Sequence, residues 1–173
     1  MTRHPSPLLA ILAAALLAGC ATTRQLSAAG DVHALLISIR DDDQAAFDAH
    51  VDRKALEAQL QARLIDRAAH ADVADGWKGL GVLLSGPLAH AAGDLLIQPG
   101  VFRAVAQYYG YRPDTPIPNS LALATTLRAL PDGRVCAKGG KSGGCLLIFA
   151  DEEGTWRLVE FDGDAAMLRL KGR

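Results

Sequence analysis

Aromatic residues, clustered positive charge and internal repeats are all scarce or absent in this sequence. Phe, Trp and Tyr make up 5% of the 173 residues, so a core must be built mainly from leucine, alanine, valine and isoleucine. Lysine and arginine number 18 against 19 acidic residues, giving a formal net charge of −1, and no basic block stands out. Because nucleic-acid binding depends on clustered positive charge, nucleic acid is not expected as a partner. The sequence shows no repeat with a period of about 20 to 50 residues, which excludes solenoids and propellers.

Motifs for metal binding and for nucleophilic catalysis are lacking as well. No two histidines beyond the N-terminal segment have the i, i+3 or i, i+4 spacing of ligands on one helix face; these residues are His33, His50, His70 and His90. The acidic run at 41–43 lacks the Asp-x-Asp-x-Asp-Gly pattern of a calcium loop, and Gly-x-Ser-x-Gly does not occur. We therefore expect no catalytic residue, no metal and no cofactor.

Two polar groups have both a chemical and a structural interpretation. Asp48, His50 and Asp52 alternate, but on the helix predicted there His50 points away from the two aspartates, which favours a helix end over a metal site. Glu160 alternates in register with Trp156 and Leu158 on a predicted strand. A glutamate on a buried face can act as a general base, whereas its position at a strand end favours a solvent-exposed side chain.

The N-terminus resembles a bacterial lipoprotein signal. An apolar run at 8–18 follows a short basic region and ends in Leu17-Ala18-Gly19-Cys20. The run has the length of a signal-peptide core and is short for a membrane span. The resemblance implies that residues 1–19 are removed and that Cys20 carries a diacylglyceryl group. The alternative is an ordinary secretory signal in which Cys20 is incidental. Ala21, rather than aspartate, follows the cysteine, which implies an outer-membrane location facing the periplasm.

The remainder is expected to form a lipidated flexible tether over 20–29 and one domain over 30–173. Helices are predicted within 31–110, where Asp31 and Asp52 are candidate N-caps and Pro99 begins a further helix that ends at Gly110. The apolar stretch at 76–98 contains proline, glycine and charged residues, so it is predicted to be a buried or kinked helix and not a membrane span.

Strands are predicted within 120–162. Segments 121–130, 134–138, 145–150 and 155–161 have strand character, and turn residues separate them. Helices followed by a meander of strands predict an α+β fold, with N-terminal helices packed on a C-terminal antiparallel sheet.

The stretch CAKGGKSGGC at 136–145 has two interpretations. It ends like a phosphate-binding loop, but Val135 occupies the position where the leading glycine is required. With Cys20 taken by lipid, Cys136 and Cys145 remain as a pair in an oxidising compartment. We predict a disulfide that closes the tip of a hairpin; the alternative is two reduced thiols. A redox-active pair is disfavoured, because the sequence contains no Cys-x-x-Cys.

Three tyrosines cluster after the Pro99 helix, at positions Tyr108, Tyr109 and Tyr111. Tyrosine combines rigid contact area with a polar tip, so this cluster is a candidate ligand or partner surface. The ordinary alternative is a structural junction between core and loop.

The pattern VDxxALxxQLxxxL at 51–64, the segment 83–105 with its Pro-led helix, and GTWRLVEF at 154–161 resemble an uncharacterised bacterial family, domain of unknown function 2939. The resemblance spans roughly residues 30–162 and implies small secreted or membrane-anchored proteins without an assigned activity. By analogy, the element order is also similar to cystatin-like and nuclear-transport-factor-2-like folds, which serve many functions.

The sequence therefore predicts a non-enzymatic, lipid-anchored envelope module that binds a partner protein or an apolar ligand. The alternatives are a small cone-fold enzyme at the periplasmic membrane face and a purely structural envelope lipoprotein.

Overall fold

The computed structural model describes residues 7–70, 93–108, 110–138 and 144–161. The helices are α1 (Pro7–Asp41), α2 (Gln44–Ala49), α3 (Arg53–His70), α4 (Pro99–Tyr108) and α5 (Ser120–Thr126). The strands are β1 (Leu127–Ala129), β2 (Val135–Lys138), β3 (Cys145–Glu152) and β4 (Thr155–Phe161). The strands pair antiparallel in the order β1-β2-β3-β4, so the described residues confirm the α+β prediction. Most of the apolar stretch predicted to be a buried helix lies outside the described residues.

Helix α1 corrects the predicted tether and the predicted helix start. It runs from Pro7 to Asp41, so the segment at 20–29 is helical and Asp31 lies inside the helix instead of capping it. Ala28 and Ala29 are completely buried in the core. Their small side chains let α1 approach the neighbouring elements closely, and alanine has the highest intrinsic helix propensity. Two of the small residues that suggested flexibility, Ala28 and Ala29, are therefore packing residues of the core.

Local sequence signals explain where α2, α3 and α4 begin. The Asp43 carboxylate accepts a hydrogen bond from the backbone N–H of Ala46 at the start of α2. The Asp52 carboxylate does the same for Ala55 at the start of α3. Helix α4 begins at Pro99, where a missing N–H costs nothing because the first helical turn has no partner for it.

The strand predicted over 121–130 is mostly wrong. Residues Ser120–Thr126 form α5, whose N-cap is Asn119; its side chain accepts a hydrogen bond from the backbone N–H of Ala122. Leu123 and Ala124 are buried, and only the last part of the predicted strand pairs in the sheet, as β1. Leucine and alanine suit a helix better than a strand, so the cap decides the local structure.

The core lies between α1 and one face of the sheet, called here the inner face. Val135, Phe149 and Leu158 contribute fully buried side chains from three strands, and Leu35 and Phe47 meet them from the helical layer. The link between α2 and α3 extends the sheet beside β4. Its backbone makes a parallel bridge in which the N–H of Leu158 donates to His50 O and the Leu158 carbonyl accepts from Asp52.

Candidate functional site

Helix α1 places the predicted lipidation cysteine on the same helix as the protein core. Cys20 lies within Pro7–Asp41, and the fully buried Ala28 follows eight residues later. At 1.5 Å per residue, the two positions are about 12 Å apart along the helix axis. Among the described residues, no helix combines the length and the apolar character that a membrane crossing requires.

A cluster of polar groups links α1 to the start of β4 through hydrogen bonds. The Asp31 carboxylate accepts a hydrogen bond of 2.8 Å from the backbone N–H of Trp156. The Trp156 indole N–H donates to Ser27 Oγ at 3.1 Å. Trp156 is buried, so these bonds satisfy donors that would be costly to leave unpaired. Sequence reasoning missed this role of Asp31, because its partner is 125 residues away.

His50 belongs to the same cluster and has a protein partner at each ring nitrogen. Its Nδ1 lies 2.8 Å from the carbonyl oxygen of Ala46, which can only accept, so Nδ1 carries a proton. Its Nε2 lies 3.5 Å from Asp31 Oδ1. A general base or a metal ligand needs a nitrogen directed at substrate or ion, whereas here both nitrogens face the protein. His50 therefore links α2 to α1 through its contacts with Ala46 and Asp31.

The two aspartates that flank His50 in the sequence point to different partners. Asp48 Oδ1 accepts hydrogen bonds from Gln44 Nε2 at 2.9 Å and from Arg53 Nε at 2.7 Å. Asp52 caps α3. The structure thus separates the three alternating side chains, because α2 ends at Ala49 and Asp52 belongs to the start of the next helix. Within the described ranges, no group of three His, Cys, Asp or Glu side chains is arranged to hold a metal ion.

Glu160 lies on the face of the sheet opposite to the one predicted. A register shift opposite Ile148 and Phe149 reverses the alternation in β4, so Glu160 pairs with Ile148 on the outer face while Leu158 points inward. The Glu160 carboxylate is about 39% exposed and accepts a hydrogen bond of 3.1 Å from Arg134 Nη1. The prediction that Glu160 shares a face with Trp156 and Leu158 is therefore wrong.

Two exposed ion pairs have shifted pKa values. A side-chain hydrogen bond from Arg134 lowers the pKa of Asp132, and the same bond raises the pKa of Arg134. A side-chain hydrogen bond from Arg40 lowers the pKa of Asp41 in the same way. Each pair is formed by residues one or two positions apart, so both are local contacts on the surface.

Cys136 and Cys145 form a disulfide, as predicted, with Cα atoms 5.5 Å apart. They are not directly opposed across the hairpin. Cys136 pairs with Ile148, Cys145 pairs with Lys138, and a register shift after Ala137 brings the two cysteines within reach. The loop at 139–143 lies outside the described residues.

Of the candidate tyrosine surface, only the Tyr111 side chain lies within the described part of the structure. Tyr111 is partly buried, and its hydroxyl oxygen is buried without a hydrogen-bond partner among the described residues. Its backbone N–H donates to Ala106 O in α4, and Arg103 of the same helix donates to the carbonyl oxygen of Arg40, near the C-terminal end of α1. Tyr109 and the Tyr108 side chain fall outside the described residues.

Residues 9–105 match the family described as "Protein of unknown function (DUF2939)". The match covers more than half of the 173-residue chain. The chain belongs to this family. The DUF2939 match begins earlier and ends earlier than the predicted span of 30–162, so it includes most of the apolar N-terminal run and excludes the β4 motif. No curated protein and no solved structure matches the chain.

Proposed function

We propose that this DUF2939 protein is a non-enzymatic module of the bacterial cell envelope, anchored through lipid on Cys20, that binds a partner protein at its membrane-distal end. The observation that carries the proposal is the course of α1, which joins the lipoprotein-like cysteine to the buried core without a described break. The proposed location is the outer membrane, facing the periplasm.

The partners of the polar groups support a binding role over catalysis. Both nitrogens of His50 face protein atoms, and the Glu160 carboxylate is bound by Arg134. Asp31 accepts a hydrogen bond from a backbone N–H and so holds two elements together. A catalytic group must instead be directed at a reacting atom, within hydrogen-bond reach.

The two ends of α1 define a membrane-proximal and a membrane-distal side of the proposed module. Cys20 and Arg40 are separated by 20 residues of helix, which corresponds to about 30 Å. Tyr111 is hydrogen-bonded to the end of α4, and Arg103 of that helix donates to the carbonyl oxygen of Arg40, at the end of α1 away from the proposed lipid. The Tyr111 hydroxyl is buried without a hydrogen-bond partner among the described residues, which costs about 1–3 kcal/mol and which a polar group of a bound partner can relieve. We therefore place the partner-binding surface at this corner.

Membrane fractionation tests the anchor. In cells that express Cys20→Ala, the protein should move from the membrane fraction to the soluble periplasmic fraction, or remain as an uncleaved precursor with a larger mass. Ala21→Ser is the matched control, since it changes the neighbouring residue and leaves the acceptor sulfur in place. Cys20→Ala protein that is cleaved after Gly19 and still fractionates with membranes contradicts lipid anchoring.

Crosslinking pull-down of the native protein tests the binding surface. Tyr111→Ala should lose the crosslinked partner, whereas Leu26→Ala, an exposed position on the anchor-proximal part of α1, should retain it. Tyr111→Phe keeps the ring and removes the buried hydroxyl, so it separates loss of contact area from loss of the polar bond. Identical partner profiles for all three variants would rule out this corner, and the lack of any partner would favour a purely structural lipoprotein.

A further inference from the structure

The two sulfur atoms of the disulfide have different surroundings. Cys136 is completely buried, whereas Cys145 is partly exposed at the start of β3. Attack on a disulfide requires an incoming thiolate to reach one sulfur along the axis of the bond. Access alone therefore directs an external thiol to Cys145 and makes Cys136 the sulfur that leaves.

Positive charge also distinguishes Cys145. The Arg128 guanidinium lies on the outer face of the sheet, and its Nη2 donates to Cys145 Sγ at 3.3 Å. Lys138 is the cross-strand partner of Cys145 on the same face. An arginine is always charged in a protein, and a cation beside a thiol favours the reactive thiolate form. Once the disulfide is reduced, Arg128 is positioned to hold Cys145 as a thiolate.

The acidic group that shares this cross-strand row is already engaged. Glu160 belongs to the row that contains Arg128 and Cys136, but its carboxylate is bound to Arg134 at 3.1 Å. Arg128 donates to the sulfur instead of to this carboxylate. The charges that face Cys145 from the described neighbouring strands are therefore those of Arg128 and Lys138.

We infer that Cys145 is the exchange site of this disulfide, through which the protein forms a mixed disulfide with a partner that carries a reactive disulfide, and that Cys136 is the resolving cysteine. In the reduced protein, the Cys145 thiolate attacks one partner sulfur; a Cys145–partner bond forms, and the partner's disulfide breaks to release a thiolate that takes a proton from water. Cys136 then loses its proton to water and attacks Cys145 Sγ, which expels the second partner thiolate. Once water has protonated the second partner thiolate as well, the partner has gained two electrons and two protons. This protein has lost two electrons and the two protons that Cys145, on forming its thiolate, and Cys136 released to water.

Glutathione provides a test on the folded, oxidised chain in a Cys20→Ala background. The protein is exposed briefly to reduced glutathione, quenched with acid and mapped by peptide mass spectrometry. Glutathione is expected on Cys145. Glutathione found mainly on Cys136, or equally on both cysteines, overturns the assignment. This measurement starts from the intact disulfide, so it does not depend on whether a cysteine variant folds.

The second arm measures the role of Arg128 with oxidised glutathione. The Cys136→Ser chain, which retains Cys145, should form the mixed disulfide about tenfold faster than the Cys145→Ser chain, because thiolate fraction and access both favour it. Adding Arg128→Gln to the first chain should slow the reaction several-fold near neutral pH and move its pH profile to higher pH, whereas Arg128→Lys should retain most of the rate. If Arg128→Gln leaves the rate and the pH profile of mixed-disulfide formation unchanged, the proposed role of Arg128 is refuted.

Discussion

Replacement of Gly30 by alanine tests whether α1 continues through the residue that follows the predicted tether or begins only after it. Gly30 is exposed inside α1, between the fully buried Ala29 and the hydrogen-bonded Asp31. A Cβ built at this position meets no atom within 4 Å. The substitution therefore adds no contact and removes none, and its effect depends on backbone conformation alone.

The expected effect is a stabilisation of about 0.5–1 kcal/mol, because glycine in a helix interior costs that amount relative to alanine. For a chain of this size, each kcal/mol corresponds to a change of about 2–4 °C in Tm, so the predicted rise is about 1–4 °C. If the chain at Gly30 were flexible, the same substitution would change neither state selectively and would have no effect on the free energy of unfolding.

Urea denaturation followed by circular dichroism measures this free energy directly. Gly154→Ala is the matched control: the same change is made at a turn glycine with φ of 88°, where a Cβ is also free of contacts. There alanine must adopt a left-handed conformation, so we expect a loss of about 1–2 kcal/mol. Opposite signs for the two variants support a helix that continues through Gly30. No change, or a loss of stability, for Gly30→Ala would refute it.

Three further outcomes are expected from the contacts in the folded domain. Replacing both Cys136 and Cys145 by alanine should lower the free energy of unfolding by about 2.6 kcal/mol, from the sequence separation of 9, and should make urea denaturation insensitive to reductant. Asp31→Ala leaves the Trp156 backbone N–H without its acceptor and should cost about 1–3 kcal/mol in the same assay; Asp31→Asn keeps an acceptor and should cost less. The arginine bond lowers the pKa of Asp132 in the folded state, so its stabilisation is present above the usual value of about 3.9 and disappears as the pH falls through the lowered pKa. Asp132→Asn should thus flatten the acid side of the urea midpoint measured against pH.

Elements set by local signals could be predicted from the sequence. The Asp43 and Asp52 caps and the Pro99 helix start depend on residues within one turn of the helix. The disulfide could also be predicted, because the expected oxidising compartment and the expected lipidation of Cys20 left a single pair of cysteines. The helix starts depend on contacts between residues close in sequence, and the disulfide follows from the number of cysteines.

The predictions were wrong where the amino-acid composition of a segment is compatible with two kinds of structure, or where a contact distant in sequence determines the structure. The segment 121–130 is rich in leucine and alanine, and Asn119 was an available cap signal that would have predicted α5. The polar composition of 20–29 suggested a tether, but the burial of Ala28 and Ala29 requires the tertiary fold to be known. The inward or outward direction of Glu160 depends on a register shift that strict alternation cannot reveal.

The helical connection has a consequence for the proposed anchored module that a flexible tether lacks. Ten residues of flexible chain span about 17–19 Å on average, whereas ten residues of helix span about 15 Å. The reach from the membrane is therefore nearly the same for both, and the difference lies in orientation. A flexible tether lets the domain rotate freely relative to the membrane. In contrast, Cys20, the hydrogen-bonded Asp31 and the two buried alanines all lie on one helix, α1, which restricts the orientation of the domain. With lipid on Cys20, the corner that contains Tyr111 is held away from the bilayer, which favours partners that approach from the periplasm over those in the membrane plane.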